Sequence, residues 1–284
     1  MQTILEILNK TTQYFEKCGI PDPKLDAQYI LAHGLQMSRM DLFLKFDRPL
    51  EDAELVKLRT MVARRSKREP LQHILGTTSF MGHTIRCDKR ALIPRPETES
   101  LVGLVLKRIE SIQNPYVADI GTGTGAIAIA VALARPDATV VAADVSKDAL
   151  ALAQENVQAN GLEGRVLLIA SNLMDSIPAE FRFHVIASNL PYIPSGDIPG
   201  LQPEVRAFDP VTALDGGKDG LEFVRKLLLA APHYLAPKGY VLLEVGEGQA
   251  EFLQLQSAQF QGLEWISSHA DLFGVVRFPE YGTT

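Results

Sequence analysis

Cysteine is scarce in this sequence. Only Cys18 and Cys87 occur among 284 residues, far apart and without metal-site spacing. That scarcity excludes a disulfide framework and fits a reduced, cytoplasmic setting. Neither cysteine has a neighbouring His or second Cys to activate it, so both are expected to be packing residues. Long apolar runs are also missing. None approaches the roughly 20 residues that a membrane-spanning helix needs, and the first ten residues lack the basic start and apolar core of a signal peptide. No membrane partner is expected. Positive charge is in deficit, with a net charge of −6, so nothing global points to nucleic acid. There is no internal repeat and no low-complexity tract, and no metal is expected. What remains is an ordinary globular composition, 46% hydrophobic and 22% charged, in a chain long enough for two domains.

Residues 1 to about 75 read as helical. Ile4, Leu5, Leu8 and Thr12 follow helical spacing. Pro21-Asp22-Pro23 interrupts the pattern, and Asp22 is expected to cap a helix that begins at Pro23. A further helix, Glu51 to Lys67, runs into the basic stretch Arg64-Arg65-Ser66-Lys67-Arg68. That stretch is expected to be a solvated helix end complementing the macrodipole; the alternative is a contact surface for an RNA-associated partner. Gly82 between short β-prone flanks suggests a hairpin. In Ile93-Pro94-Arg95-Pro96-Glu97-Thr98-Glu99 two prolines fix an extended segment, and a helix is expected from Glu97 to Ile109.

From Val117 onward the pattern alternates. Strands are expected at 117–120, 139–143, 166–170, 185–188 and 240–245, with helices at 126–134, 147–160, 221–234 and 247–257 and a last region around Val275–Phe278. Such alternation predicts an open, mainly parallel sheet covered on both faces.

Two turns in this region carry chemistry. Gly121-Thr122-Gly123-Thr124-Gly125 joins a strand to a helix, and glycines at alternate positions let the backbone turn tightly and approach a ligand. The spacing is not the G-x-G-x-x-G form of dinucleotide sites. Asp144, ending the next strand, is placed to accept both hydroxyls of a ribose, which suits an adenosine-bearing methyl donor or NAD; as a plain helix cap it would do less. Leu173 follows the third strand, where an adenine ring would lie, as an apolar wall or as ordinary core.

Asn189-Leu190-Pro191-Tyr192 follows the fourth strand. An amide nitrogen is a poor nucleophile, so an enzyme that methylates one must place it in line with the methyl group and favour the positive charge that develops. The Asn189 side-chain oxygen and the Pro191 carbonyl are candidate acceptors for two N–H groups. Proline stiffens the turn, and Tyr192 offers an aromatic face to stack on a planar group. No base is needed before transfer, because the methylated nitrogen becomes acidic and loses its proton afterwards.

Over most of its length the chain resembles the glutamine-specific methyltransferases of peptide chain release factors, the HemK/PrmC family. The resemblance rests on Pro70–Gly76, Phe80-Met81-Gly82, Leu92–Glu99, the glycine loop, the Asn189 tetrad, Glu204-Val205, Asp209-Pro210, Ala213–Gly220 and Leu243–Gly246. It implies a Rossmann-like class I methyltransferase with a mainly parallel seven-stranded sheet, at 96–284. A helical domain at 1–75, contacting the release factor, and a β-hairpin linker at 76–95 would precede it. It implies S-adenosylmethionine, held by Gly121 to Gly125, Asp144, Leu173 and Asn189. The acceptor would be the glutamine of a Gly-Gly-Gln loop in class I release factors, held by Asn189, Leu190, Pro191 and Tyr192. A monomer is expected. The family usually has proline where Leu190 stands and Asp where His184 stands, and Asp271–Gly274 departs from its glycine-arginine ending. His184 is expected to be a strand residue rather than a base. The same tetrad also serves methylation of a ribosomal-protein glutamine or of an exocyclic amine in a nucleic acid; a donor-binding scaffold without catalysis is the remaining reading.

Overall fold

In the computed structural model, which describes residues 2–283, the chain forms two compact units. The first runs to Thr77 and includes Gln202–Phe208; the second comprises Thr78–Leu201 and the chain from Asp209 onward.

The first unit packs α1 (Ile4–Lys17), α2 (Pro23–Gly34), α3 (Arg39–Leu44), α4 (Asp52–Ser66) and α5 (Leu71–Leu75) around Ile4, Leu8, Phe15, Ile30, Leu31 and Leu58. Thr3 and Glu6 form a reciprocal capping box at the start of α1, satisfying two N–H groups that a helix end leaves orphaned. Asp22 precedes Pro23 as expected but makes no side-chain capping bond, so the fixed φ of proline starts α2 without that help. The basic stretch is not a solvated helix end. Arg64 pairs with Glu69 at 2.6 Å, and buried Arg65 bonds Asp26 at 2.6 Å and Glu204 at 3.0 Å. Arg68 grips both oxygens of Glu204 at 2.7 Å. Three of its four cations are therefore paired inside the unit, because buried Asp26 and half-buried Glu204 require opposite charges beside them and Glu69 takes Arg64. A short helix within Gln202–Phe208 (Pro203–Phe208, α9 in chain order) presents Glu204 to them.

In the second unit, β1 (Thr77–Phe80) and β2 (His83–Arg86) form a hairpin. Met81 and Gly82 both have positive φ, 49° and 78°, the geometry a tight two-residue turn demands. The hairpin is secured to its own unit: Glu99 accepts the Met81 N–H at 2.7 Å, and Asn156 accepts that of Arg86 at 2.7 Å. Next come α6 (Thr98–Arg108), β3 (Tyr116–Ile120), α7 (Ala126–Ala134), β4 (Thr139–Asp144), α8 (Lys147–Ala159), β5 (Val166–Ala170) and β6 (Phe183–Ser188). After α9 follow α10 (Glu222–Ala230), β7 (Leu235–Leu243), α11 (Gln249–Leu255), β8 (Leu263–Ala270) and β9 (Val276–Thr283).

One seven-stranded sheet has the order β5-β4-β3-β6-β7-β9-β8, parallel from β5 to β7 and antiparallel at β9 and β8. The central strands are buried on both faces, under α6 and α7 on one side and α10 and α11 on the other. Strand β8 escapes the sequence reading although its burial alternates residue by residue; its inward positions are Leu263, Trp265, Ser267 and His269 while Ile266 faces outward, so polarity does not follow the alternation. The chain winds outward from β3 to β5, then crosses back to β6 beside β3. This is the topological switch point of an open α/β sheet, where the loops diverge and leave a crevice.

Candidate active site

Four adjacent strands deliver the site at one level. Ile120 pairs with Ala143 on one side and Ser188 on the other, and Ser188 pairs with Leu243. The next residues on these strands, Gly121, Asp144, Asn189 and Glu244, therefore stand side by side at the carboxyl edge. Above them lies a cleft of about 650 Å³, within the range that encloses a small molecule. Gly121, Thr122, Gly123, Thr124, Asp144, Leu173, Asn189, Leu190 and Pro191 line it, together with Arg95 and Thr98. Gly125 and Tyr192 do not. Gly125, at φ 83°, opens α7, and a Cβ there would meet Ala153 at 3.3 Å.

The glycine loop is pinned at its base. The N–H groups of Gly121 and Thr122 donate to the Ala143 carbonyl at 2.8 and 3.0 Å. Gly121 and Gly123 have φ of 77° and 56°. A Cβ on Gly123 would meet nothing closer than Ala91 at 3.9 Å, so the loop keeps a bare backbone face toward the cleft. Gly123 N–H donates to Asp144 Oδ2 at 2.9 Å, and Ser146 N–H to Oδ1 at 2.8 Å. Burial nevertheless raises the Asp144 carboxyl above its ordinary range. An oriented carboxylate with lone pairs to spare, beside a bare glycine turn and the apolar Leu173, fits the ribose, backbone and base of an adenosyl group. Leu173 holds φ 50°, strained for a branched side chain and of the kind found at ligand sites.

Asp119, the penultimate residue of β3 beneath the loop, is fully buried. Its Oδ2 accepts from Thr122 Oγ1 at 2.6 Å and from Ala128 N–H at 3.1 Å. It thereby caps the first turn of α7, and burial pushes its carboxyl up to about 7. An acidic residue at the end of an otherwise apolar strand was the available sequence signal for this role.

The Asn189 tetrad is held from every side. Asn189 Nδ2 donates to Thr98 Oγ1 at 3.1 Å. Leu190 is buried, and its Cδ2 would stand 3.0 Å from a Cβ on Gly121; side-chain packing against the glycine loop does here what a proline ring would do through φ. The Pro191 carbonyl faces Gly216. The Tyr192 carbonyl accepts from Gln249 Nε2 at 2.9 Å, and Ile193 donates its N–H to the Leu214 carbonyl at 3.0 Å while its own carbonyl accepts from Gly216 N–H at 2.9 Å. The Tyr192 ring packs by Gly246, and its hydroxyl is raised by burial and by the Glu244 charge. Arg95 reaches buried Asp209 at 3.3 Å, where burial pushes the Asp209 carboxyl up to about 6; two segments quoted for the resemblance thus meet. His184 lies at the opposite end of β6, where Nδ1 accepts the Tyr116 N–H, as expected for a strand residue. The Asp271–Gly274 loop does not line the cleft; Asp271 closes it by accepting the N–H groups of Phe273 and Val275.

Thr98, Gly216, Glu244 and Gln249 had no role assigned from sequence. Each acts on the tetrad across a long stretch of chain, which no local spacing encodes.

Comparisons with known proteins give relatives for both parts of the chain. A family model described as the PrmC N-terminal domain matches residues 6–76, and one described as a methyltransferase small domain matches residues 100–198. A release factor glutamine methyltransferase from Geobacter sulfurreducens is 44% identical over 249 residues, covering 88% of this chain and 86% of that protein. Its counterpart from Rhodopirellula baltica is 37% identical over 276 residues, covering 96% and 93%. Among solved structures, the human Mettl16 catalytic domain in complex with an RNA hairpin shares the fold, with a TM-score of 0.57, 16% identity and 82% of each chain covered. The chain belongs to the family of release factor glutamine methyltransferases.

Proposed function

We propose that this enzyme transfers the methyl group of S-adenosylmethionine to the side-chain amide nitrogen of the glutamine in the Gly-Gly-Gln motif of class I release factors, in support of translation termination. The observation that carries the reading is the juxtaposition of the glycine loop and Asn189, set side by side by the Ile120–Ser188 register, in a chain 44% identical to a release factor glutamine methyltransferase.

S-adenosylmethionine supplies an electrophilic methyl on a sulfonium. Every other task falls to the chain. Gly121, Thr122, Gly123 and Thr124 offer backbone to the donor, Asp144 accepts from its ribose, and Leu173 walls its base. Asn189 Oδ1 and the Pro191 carbonyl accept the two amide N–H groups of the glutamine, fixing its nitrogen in line with the methyl and stabilising the positive charge that grows there. Tyr192, second in line behind the cleft wall, covers the planar amide when the substrate loop enters. The helical unit recognises the body of the release factor, and the enzyme works in the cytoplasm as a monomer.

The test is direct. Purified enzyme, labelled donor, a release factor and ribosomal proteins are incubated together. Label on the release-factor glutamine is expected; label on a ribosomal protein instead would overturn the substrate assignment.

A further inference from the structure

A buried pair behind the tetrad has no place in the chemistry described so far. Thr98, at the first position of α6, is 4% exposed, and Glu244, just past β7, is 2% exposed. The Glu244 N–H donates to the Ser188 carbonyl at 2.8 Å, which locks its backbone beside Asn189. Its side chain has the Thr98 hydroxyl and the Asn189 amide as hydrogen-bonding neighbours. Among the described residues, its Oε2 has no hydrogen-bond partner. An unsatisfied carboxylate oxygen at this depth is costly, so its presence calls for a function.

The need is set by asparagine itself. The two ends of its side-chain amide have nearly the same shape and opposite polarity. Rotated by half a turn, Asn189 would present NH2 to the NH2 of the acceptor. In the structure Nδ2 donates to Thr98 Oγ1. A threonine hydroxyl that accepts this bond has its own proton free for Glu244, and an ionised carboxylate can only accept. The polarity of the chain is therefore imposed from its buried end.

We infer that Thr98 and Glu244 are positioning residues that turn the Asn189 carbonyl oxygen toward the acceptor glutamine and its NH2 away from it. The inference rests on the reading of Asn189 as the acceptor clamp. Glu244 faces Thr98 and Glu97 at the start of α6, Asn189 and Tyr192 after β6, and Arg277 on β9. Burial pushes its carboxyl up to about 7, against the opposing Arg277 charge. Protonation turns one of its acceptor oxygens into a donor, so the carboxyl no longer dictates which way the Thr98 hydroxyl points, and acidification slackens the clamp.

The experiment measures kcat at saturating donor, KM for the release factor, donor affinity by calorimetry and melting temperature. Thr98→Val is expected to lower kcat about tenfold, the size of one ordinary hydrogen bond, with donor affinity unchanged. Thr98→Ser is expected to regain most of that loss. Wild-type kcat/KM is expected to rise through pH of about 7, and Glu244→Gln to lose that limb. A Thr98→Val enzyme within twofold of wild type would overturn the inference. So would a Thr98→Ser enzyme as slow as the valine variant, or a Glu244→Gln enzyme with the wild-type pH profile. Should Thr98→Val fail to fold, the serine variant and the pH profiles decide. If wild-type enzyme labels a ribosomal-protein glutamine instead, the substrate reading falls, and the same variants assayed on that protein decide the positioning role.

Discussion

Gly216 lies directly against the Pro191 carbonyl: a Cβ on Gly216 would stand 2.6 Å from that oxygen and 2.6 Å from the Gly220 carbonyl. Both obstacles are backbone, so neither can swing aside as a side-chain tip could. The second acceptor of the proposed clamp therefore keeps its aim only while position 216 carries no side chain.

Gly216→Ala should displace the Pro191 carbonyl. The expected result is a loss of about 1 to 3 kcal/mol in stability from overpacking and a fall in kcat of roughly a hundredfold, the effect of losing one preorganised group. Denaturant unfolding and single-turnover methylation would measure the two, and an alanine enzyme of normal rate would remove Pro191 from the clamp.

Asn189→Ala should raise the barrier by about 2 to 4 kcal/mol while leaving donor affinity largely intact, because the glycine loop and Asp144 do not depend on it. Calorimetry with the donor, set beside turnover, separates the two effects. Normal turnover in this variant would refute the mechanism.

Leu190→Ala should cost about 2 to 4 kcal/mol in stability, the range for deleting a buried leucine side chain, and weaken donor binding by loosening the loop at Gly121. Leu190→Pro should change the rate only modestly, yet it too loses the contact with Gly121 and should melt earlier than wild type.

Asp144→Ala should weaken donor binding by about 1.5 to 3 kcal/mol, the usual worth of hydrogen bonds to a charged group. It removes an acceptor and frees the Gly123 and Ser146 N–H groups. Calorimetry is again the check; unaltered affinity would move the donor elsewhere in the cleft.

Asp119 makes stability depend on pH in a defined direction. Its folded carboxyl is raised from 3.8 to about 7 by burial. A raised carboxyl favours folding in its protonated form, so this contribution is full below the unfolded value and lost as pH rises through the folded one. Between pH of about 4 and 7 the wild type should therefore lose stability relative to Asp119→Asn, which keeps an acceptor for Thr122 and Ala128. Melting temperatures across that window would show it; parallel curves would count against it.

Local sequence was enough for the parallel strands, their covering helices and the local chemistry, though not for β8. Alternating apolar runs set the parallel strands and their covering helices, three alternate glycines set the loop at 121–125, and an asparagine and a proline after a strand set the turn at 189–192. These signals are legible because each depends on neighbours a few residues apart, through φ, periodicity or side-chain shape. What stands behind them came from long-range packing. Strand register put Glu244 beside Asn189, helix packing brought in Thr98, the 214–220 segment supplied a bare glycine against Pro191, and Leu190 took up by packing what a proline would supply by ring closure. Even in the basic run at the end of α4, which reads as solvated, Arg65 turned inward to buried Asp26 and half-buried Glu204. Contacts between residues far apart in the chain leave no periodic trace in composition or spacing, and so they become visible only when the chain has folded.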